Sequence, residues 1–364
     1  MSKNYSLNSL FETTVDPEDE KERGAKAHPY GALRHRSLFL VWGPPSHGPR
    51  SKVFARELGI TDLHFVHSTR RRGWLAAPLK YSYQAVKTLY LLFRQRPKIV
   101  FIQSPPSFAV LFVYLYCWLT KGHYFVDIHS DALQSAYWTR PQFLYRFLAR
   151  KAAASIVTNT HFQEQLTRWG GRAIVIRDIP SQFPGVAAAP LSTPFNLVVV
   201  NTFAYDEPLA AVLQAARTLN DVHFYITGNK RRADPHLLVN PPANVHFTDY
   251  LPDPDYYGLL KASDGVICLT TRDHTMQRGA CEALSLGRPI ITSDWPLLRD
   301  YFSQGTLHVD NQSESIIAAA QELQHHYPTY LQGITALRAT KQREWEEKAN
   351  YLVQLVHQLT SPPA

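Results

Sequence analysis

Apolar and polar positions follow two different periods along this chain, and the change between them marks the elements of secondary structure. Short apolar runs bounded by polar residues are typical of strands that are buried on both faces. Between these runs the apolar residues recur at helical spacing. In the first half we predict strands at residues 38–42, 63–67, 99–102, 124–127 and 154–158, and helices at residues 79–94, 108–119 and 141–151.

The same alternation restarts in the second half of the chain. We predict strands at residues 196–201, 222–227, 245–248, 265–269, 289–292 and 307–309, with helices at residues 208–219, 276–286, 316–323 and 330–359. Residues 179–194 separate the two halves, and their several prolines and lack of any period are typical of a linker.

Alternation of strands and helices predicts parallel sheets that carry helices on both faces. We therefore expect an α/β fold of two Rossmann-like, doubly wound domains that face a cleft, with a C-terminal helix crossing back to the first domain. The expected boundaries are a disordered tail at 1–35, a first domain at 36–180, a linker at 181–195, a second domain at 196–335 and the returning helix at 336–364.

Length and composition agree with this organisation. A chain of 364 residues is long enough for two domains that each bury a core. Its three cysteines, Cys117, Cys268 and Cys281, are too far apart for a metal-ligand motif, so we expect no metal. The N-terminal residues are polar and lack a secretion signal, which favours the cytoplasm.

Charge is distributed unevenly between the two halves. Residues 1–180 contain 25 Lys and Arg against 12 Asp and Glu, whereas residues 181–364 contain 13 against 18. Basic and aromatic residues are mixed over residues 70–98, which suits an anionic membrane surface. A merely solvated basic face is an equal alternative, and nucleic acid is weaker because no recognition motif accompanies the charge. The apolar run at 108–119 is too short to span a bilayer and predicts a buried helix.

A glycine-rich turn follows the first predicted strand and leads into a helix. Such a turn exposes backbone N–H groups, and the helix start adds partial positive charge, so an anion such as a phosphate fits there. The alternative is an ordinary turn of an α/β sheet, which tends to be glycine-rich in any case. The candidate phosphate or acceptor residues of this loop are Gly43, Ser46, Gly48, Arg50 and Ser51.

Three titratable residues follow the strand at 124–127. Asp127, His129 and Asp131 lie where the carboxyl end of a parallel strand meets the binding crevice, so they are candidates for acid and base catalysis. A structural histidine at a strand end is the alternative. The sequence leaves open which of the three would be the base.

The richest stretch of candidate chemistry is residues 269–282. A polar turn there leads into a helix that we expect to start near Met276, and its first N–H groups would form a second anion site. Arg278 could neutralise a diphosphate, and Glu282 could accept both hydroxyls of a ribose; a surface glutamate is the alternative. The other candidate donor-binding residues are His274, Thr275, Met276, Gln277, Gly228 and Lys230.

Residues 282–293, EALSLGRPIITS, resemble the E-A-x-A-x-G-x-P-V-I-x-S signature of GT-B-fold glycosyltransferases of the large group 1 type. The resemblance implies that Glu282 binds the donor ribose. Many members have a second glutamate eight residues earlier, where this chain has His274. Many also have an arginine and a lysine for the donor diphosphate in the loop that corresponds to residues 202–207, and this chain has neither.

The N-terminal half resembles the β-1,4-mannosyltransferases that extend lipid-diphosphate-linked chitobiose. The similar segments are residues 103–107, 127–129, 157–159, 172–173 and 178–180. The resemblance implies transfer of a sugar, with mannose as the candidate, from a nucleoside diphosphate donor bound by the second domain. The acceptor would be a lipid-linked saccharide or a polysaccharide or glycolipid precursor. No cofactor or metal is expected, and the protein would lie at the cytoplasmic membrane face. The alternatives are a catalytically silent GT-B scaffold or partner subunit, and a nucleotide-sugar epimerase.

Overall fold

Two parallel six-stranded sheets organise this protein, as a computed structural model shows. The structure describes Leu33 and residues 37–44, 49–67, 77–183, 185–191 and 195–361. The chain divides into two compact units, one formed by the chain up to Ile179 together with residues from Glu346 onward, and one formed by Pro180–Trp345.

The first unit contains a sheet in the order β2-β1-β3-β4-β5-β6, in which every neighbouring pair is parallel. Its strands are β1 (Ser37–Val41), β2 (Asp62–Phe65), β3 (Ile99–Ser104), β4 (His123–Ile128), β5 (Ala154–Val157) and β6 (Ala173–Val175). Its helices are α1 (Pro49–Glu57), α2 (Ala77–Gln95), α3 (Ser107–Thr120), α4 (Ser130–Gln134), α5 (Ala136–Thr139), α6 (Gln142–Lys151) and α7 (Thr160–Arg168).

The second unit repeats this architecture with the order β12-β11-β10-β7-β8-β9, again parallel throughout. Its strands are β7 (Phe195–Val199), β8 (Val222–Thr227), β9 (Val245–Asp249), β10 (Gly265–Cys268), β11 (Ile290–Ser293) and β12 (Thr306–Val309). Its helices are α8 (Leu209–Thr218), α9 (Asp253–Ala262), α10 (Arg278–Leu286), α11 (Pro296–Tyr301) and α12 (Ser313–His325); α13 (Tyr327–Thr360) runs from this unit into the part of the chain that belongs to the first.

These elements confirm the predicted fold class of two doubly wound, Rossmann-like domains with a C-terminal helix that returns to the first. The central strands β1 and β3 are buried along their whole length, because helices cover both faces of the sheet. The short strand β6 was missed, since its three residues are too few to show a period.

The segment predicted as a linker packs against helices of the second unit. Lys261 of α9 donates from Nζ to the carbonyl of Val186 at 2.7 Å. Gly258 lies so close to the chain that a Cβ atom there would be 2.7 Å from the carbonyl oxygen of Ala187. The glycine is therefore required by this close approach.

Helix α3 differs from the sequence prediction of a buried helix. One side of it is buried, but Trp118 is 67% exposed and Leu119 is 62% exposed. Within the residues described, none of the helices combines the length and the apolar character needed to cross a membrane.

A ladder of three phenylalanine rings crosses the centre of the first sheet. Phe39, Phe101 and Phe125 are paired in register on β1, β3 and β4, and Phe101 stacks on the other two at centroid distances of 5.9 and 4.8 Å. All three side chains are fully buried.

We expect Phe101→Ala to lower the free energy of unfolding of the first unit by about 3–5 kcal/mol, because it removes the middle ring and leaves a cavity. Denaturant unfolding followed by circular dichroism measures this change. Phe143→Ala is the matched control, since that ring is 75% exposed and its loss should change stability by less than about 0.5 kcal/mol. Equal effects of the two substitutions would contradict the ladder's role.

Candidate functional site

The strand order creates a switch point in the second sheet, between β7 and β10. From β7 the chain proceeds to β8 and β9 on one side, and from β10 it proceeds to β11 and β12 on the other. In open α/β sheets, ligands bind outside the carboxyl ends of the strands at such a point. The loops that follow these two strands are therefore the first place to look for a site.

Left-handed backbone conformations are concentrated at this carboxyl edge. Phe203, Asp249 and His274 follow or end strands β7, β9 and β10 and have φ values of 58°, 62° and 55°. Gly228, after β8, has a φ of 106°, and a Cβ atom there would be 2.2 Å from the carbonyl oxygen of Asn201. Such conformations cost free energy and are often found where loops are shaped for binding.

Helix α10 begins at Arg278, two residues later than the sequence prediction, and its N-cap residue Gln277 makes no side-chain capping bond. No acidic residue lies in its first turn. Gly279 allows the helix to approach β7, because a Cβ atom there would lie 2.6 Å from a methyl group of Val200. The positive end of the helix thus lies against the switch point.

The carboxylate of Glu282 is buried inside this arrangement. Its Oε1 accepts a hydrogen bond from Nε of Arg278 at 2.9 Å, and its Oε2 accepts one from the hydroxyl of Tyr256 at 2.8 Å. The side chain is only 9% exposed. The alternative of a surface glutamate is therefore wrong, because Glu282 faces the inside of the unit.

Two tyrosines on α9 line the same carboxylate. Burial and the negative charge of Glu282 raise the pKa of Tyr256 well above its usual value, and they raise the pKa of Tyr257 to about 12. Tyr256 therefore remains protonated and donates a hydrogen bond to Glu282. A carboxylate has about four acceptor positions, and the bonds from Arg278 and Tyr256 occupy two of those on Glu282.

The loop after β7 is organised by its own acidic residues. Glu207 accepts hydrogen bonds from the backbone N–H groups of Thr202 and Ala204 at 2.8 and 2.9 Å, and from the Thr202 hydroxyl at 3.0 Å. Asp206 accepts from the hydroxyl of Thr270 at 2.7 Å, which joins this loop to the loop after β10. The Glu207 carboxylate therefore occupies backbone N–H groups of this loop.

The remaining candidate donor-binding residues surround this centre. His274 lies beside Asp273, with its Nε2 atom 3.5 Å from Oδ2, and the Thr275 hydroxyl donates to the backbone carbonyl of Asp273 at 3.2 Å. Gln277 accepts a bond from the thiol of Cys268 at 3.3 Å. Met276 packs partly into the apolar core of this unit.

Lys230 lies at the end of β8 in a short 3-10 turn. Its Nζ atom is 3.9 Å from Oδ2 of Asp249, and its backbone N–H donates to Oδ1 of the same residue at 3.2 Å. Both side chains are about half exposed. Exposed pairs of this kind contribute little to stability, so the ammonium group can exchange Asp249 for a ligand at low cost.

In the first unit, Arg50 points inward from α1. Its guanidinium donates to the carbonyls of Ile176 and Arg177 at 2.8 and 3.1 Å, and its Nε lies 3.4 Å from Oδ1 of Asp127. Ser51 is fully buried and donates to the side-chain amide oxygen of Gln103 at 2.8 Å.

These contacts correct the prediction that Ser51 touches a phosphate, because its hydroxyl lies within the unit. Arg50 is engaged in the same way and is 11% exposed. Gly43 follows β1 as predicted and is buried. Ser46 and Gly48, the other candidates of this loop, lie outside the described residues.

Asp127 is fully buried at the end of β4, between Arg50 and His129. Burial alone would raise its pKa, but the charge of Arg50 and the nearby His129 imidazole, 3.4 Å away, outweigh that effect and hold the pKa below its usual value. A carboxylate with a lowered pKa is a weak base. The position of Asp127 beside the imidazole instead allows it to orient His129.

His129 and Asp131 are more accessible than Asp127. The side chain of His129 is 26% exposed, whereas Asp131 is exposed and accepts a hydrogen bond from the indole of Trp138 at 3.2 Å. The structure thus brings Arg50, Asp127 and His129 together in one cluster. Among the described residues, no three His, Cys, Asp or Glu side chains are grouped so that they could hold a metal ion.

Two family models match the chain, one over each sheet. Residues 25–182 match the family described as glycosyl transferase 4-like domain, and residues 194–326 match the family described as glycosyl transferases group 1. This chain belongs to the GT-B glycosyltransferases. The finer resemblance to β-mannosyltransferases stays a prediction. No protein of curated function matches the sequence.

Solved structures share the fold of this glycosyltransferase. Sucrose-phosphate synthase from Thermosynechococcus elongatus is 14% identical, with a TM-score of 0.64 over 89% of this chain and 99% of that one. Anabaena Alr3699/HepE in complex with UDP-glucose is 12% identical, with a TM-score of 0.63 over 87% and 100%. A protein assigned as UDP-N-acetylglucosamine 2-epimerase from Listeria monocytogenes is 12% identical, with a TM-score of 0.59 over 88% and 95%.

Sequence reasoning missed two residues of this glycosyltransferase's donor-side candidate site. Tyr256 precedes Glu282 by 26 residues and belongs to no motif, so only the packing of α9 against α10 reveals it. Glu207 was noted only as part of a loop without cations. The available signal was the pair Asp206 and Glu207 in the loop after β7. Carboxylates in such loops often accept hydrogen bonds from nearby backbone N–H groups.

We expect Glu282→Ala to lower the free energy of unfolding by about 1–3 kcal/mol, because the buried Tyr256 hydroxyl and Arg278 lose their shared acceptor. The free-energy changes caused by Tyr256→Phe and by Glu282→Ala should be strongly non-additive. A double-mutant cycle followed by denaturant unfolding measures this coupling. Glu347→Ala, at an exposed position of α13, serves as the control. Simple addition of the two effects would refute the coupling.

We expect Asp127→Asn to destabilise the first unit by about 3 kcal/mol at neutral pH, because Arg50 loses its buried counter-charge. The unfolded carboxyl titrates near 3.8 and the folded one lower. The stabilising effect of Asp127 should therefore persist down to about pH 4 and disappear as the pH falls through the folded pKa. Unfolding experiments across this range test the expectation, with the exposed Asp131→Asn as control; a difference that grows in acid would contradict it.

Proposed function

We propose that this glycosyltransferase moves a sugar from a nucleoside diphosphate sugar to a lipid-linked saccharide, or to a precursor of a polysaccharide or glycolipid. The observation that carries the proposal is the buried Glu282 carboxylate, which is held by Tyr256 and by Arg278, the first residue of α10. The family matches over both sheets support transfer. Fold neighbours that bind UDP and UDP-glucose support a nucleotide-sugar donor.

In the proposed donor complex, Glu282 accepts hydrogen bonds from the ribose hydroxyls. The backbone N–H groups at the start of α10 then face the diphosphate, whose charge they and Arg278 stabilise as the sugar–oxygen bond breaks. Glu207 occupies donors in the loop after β7. The leaving group therefore depends on α10, and on Lys230 as a second cation, rather than on the loop where many relatives have an arginine and a lysine.

In the first unit we assign the proton-accepting role to His129, with Asp127 as the residue that orients it. The acceptor hydroxyl must lose a proton as it attacks the sugar, if the reaction inverts configuration. Asp127 is buried and held ionised, whereas the imidazole of His129 is partly exposed. Replacing His129 with Asn should therefore lower kcat by about 10²- to 10⁴-fold and leave donor affinity unchanged.

The ribose contact has a sharp test in solution. After UDP, ADP and GDP have been screened by calorimetry, the best nucleotide is compared with its 2′,3′-dideoxy analogue. We expect the wild-type protein to bind the ribonucleotide at least about tenfold more tightly, and Glu282→Ala to lose this discrimination because the acceptor is gone. Arg217→Ala, at an exposed position of α8, is the control and should keep it. Discrimination that survives in Glu282→Ala would refute the assigned contact.

The alternative enzyme is a nucleotide-sugar epimerase, which the fold likeness to the Listeria protein favours. Incubation with nucleotide sugars, including UDP-glucose and GDP-mannose, separates the two reactions. Release of nucleoside diphosphate only when a polyprenyl-diphosphate-linked saccharide is added supports transfer. Conversion of the donor without any acceptor supports epimerisation, and the absence of all nucleotide binding supports a silent scaffold.

A further inference from the structure

The exposed apolar side chains of the first unit are concentrated on helices α2 and α3. On α2, residues Leu79, Val86, Tyr90 and Phe93 are each between 39% and 63% exposed. They recur at helical spacing and share one side of the helix, while the opposite side is buried in the core. Soluble helices normally place polar residues on such a side, so this stripe needs an explanation.

Helix α3 continues the same surface. Its 14 residues carry no charge, and its buried side includes Val113 and Cys117. Leu115, Trp118 and Leu119 are exposed by 37%, 67% and 62%.

The two helices pack on each other, and the ring of Phe93 meets that of Tyr116 at a centroid distance of 5.3 Å. The exposed residues Phe93, Leu115, Trp118 and Leu119 thus lie near the C-terminal ends of two helices that pack together. We call this surface the α2–α3 face and define it by Tyr90, Phe93, Leu115, Trp118 and Leu119.

Basic residues lie at the C-terminal ends of the helices that form the α2–α3 face, and the sequence of these helices contains no acidic residue. Between Asp62 and Asp127 the chain contains nine Lys and Arg and no Asp or Glu. Four of the basic residues are exposed at the C-terminal ends of the two helices: Arg94 lies in the last turn of α2, Arg96 and Lys98 follow that helix, and Lys121 follows α3. In contrast, Lys87 and Tyr81 face inward, although the sequence alone placed them with the membrane-binding candidates.

We propose that the α2–α3 face docks on an anionic lipid bilayer, with Trp118, Leu119 and Phe93 in the interface and the basic residues at the headgroups. Tryptophan and tyrosine favour that interface, and lysine and arginine are attracted to anionic lipids. A second copy of the chain fits less well, because two such faces would bring like charges together. The inference rests on the proposed function in one respect, since docking would bring the first unit to a lipid-linked acceptor.

The experiment uses the full chain and sedimentation with vesicles of phosphatidylcholine, alone or mixed with phosphatidylglycerol. We expect the wild-type protein to bind the mixed vesicles and to be partly released by salt, since exposed charges are screened. Trp118→Ser with Leu119→Ser should lower the partition coefficient at least about tenfold through lost apolar burial. Arg94→Glu with Lys98→Glu should lower the partition coefficient at least about tenfold, since each basic residue removed costs about fivefold. The salt dependence should weaken but not vanish, because Arg96 and Lys121 remain.

Matched controls replace exposed residues elsewhere, with Val239→Ser for the apolar pair and Arg217→Glu for the basic pair. Both controls should sediment with vesicles like the wild type. Far-UV circular dichroism and thermal unfolding verify that each variant is folded, as expected for substitutions at exposed positions.

Vesicle binding that survives both double substitutions would overturn the proposal. The proposal would also be overturned if the wild-type protein did not bind the vesicles. This includes the case in which sedimentation velocity shows that it forms dimers through Trp118. Nucleotide affinity is measured on the same variants and should not change. Failure of nucleotide binding with intact vesicle binding would count against the proposed function alone.

Discussion

Removing a carboxylate from water costs free energy that must be offset by nearby donors, and each unit of this protein meets that constraint in a similar way. In the first unit Asp127 is held by Arg50, with His129 alongside. In the second unit Glu282 is held by Arg278, with Tyr256 as the additional donor. In both cases an arginine near the start of a helix pairs with an acid in its own unit. The position of each arginine is therefore decided by a carboxylate before any substrate arrives.

This constraint separates the roles of acidic residues that look equivalent in the sequence. Asp127 is fully buried and has a lowered pKa, so it suits orientation better than proton transfer. Glu207 accepts hydrogen bonds from its own loop and stabilises a tight backbone conformation. Of these three acids, only Glu282 is buried on the helix that begins beside the switch point. The proposed chemistry of the donor site follows from that combination.

The α2–α3 face represents a different balance of forces. Its apolar side chains remain in water although the same helices bury their opposite sides well. Clustered exposed apolar and aromatic side chains are unfavourable for a surface that meets only solvent. They become favourable at an anionic bilayer, where apolar burial and charge attraction act together.

The sequence by itself determined the order of the strands and helices, because two distinct periods of apolar residues can be followed along the chain. It also indicated Glu282, Asp127 and His129 as candidate site residues, because motif and strand-end position are local properties. The tertiary structure alone decided that Tyr256 reaches Glu282, that Ser51 is buried and that Trp118 is exposed. Each of these three facts depends on which helix packs against which. The spacing of apolar residues along the sequence predicts that a helix has an apolar side, but it does not predict which element, if any, covers that side.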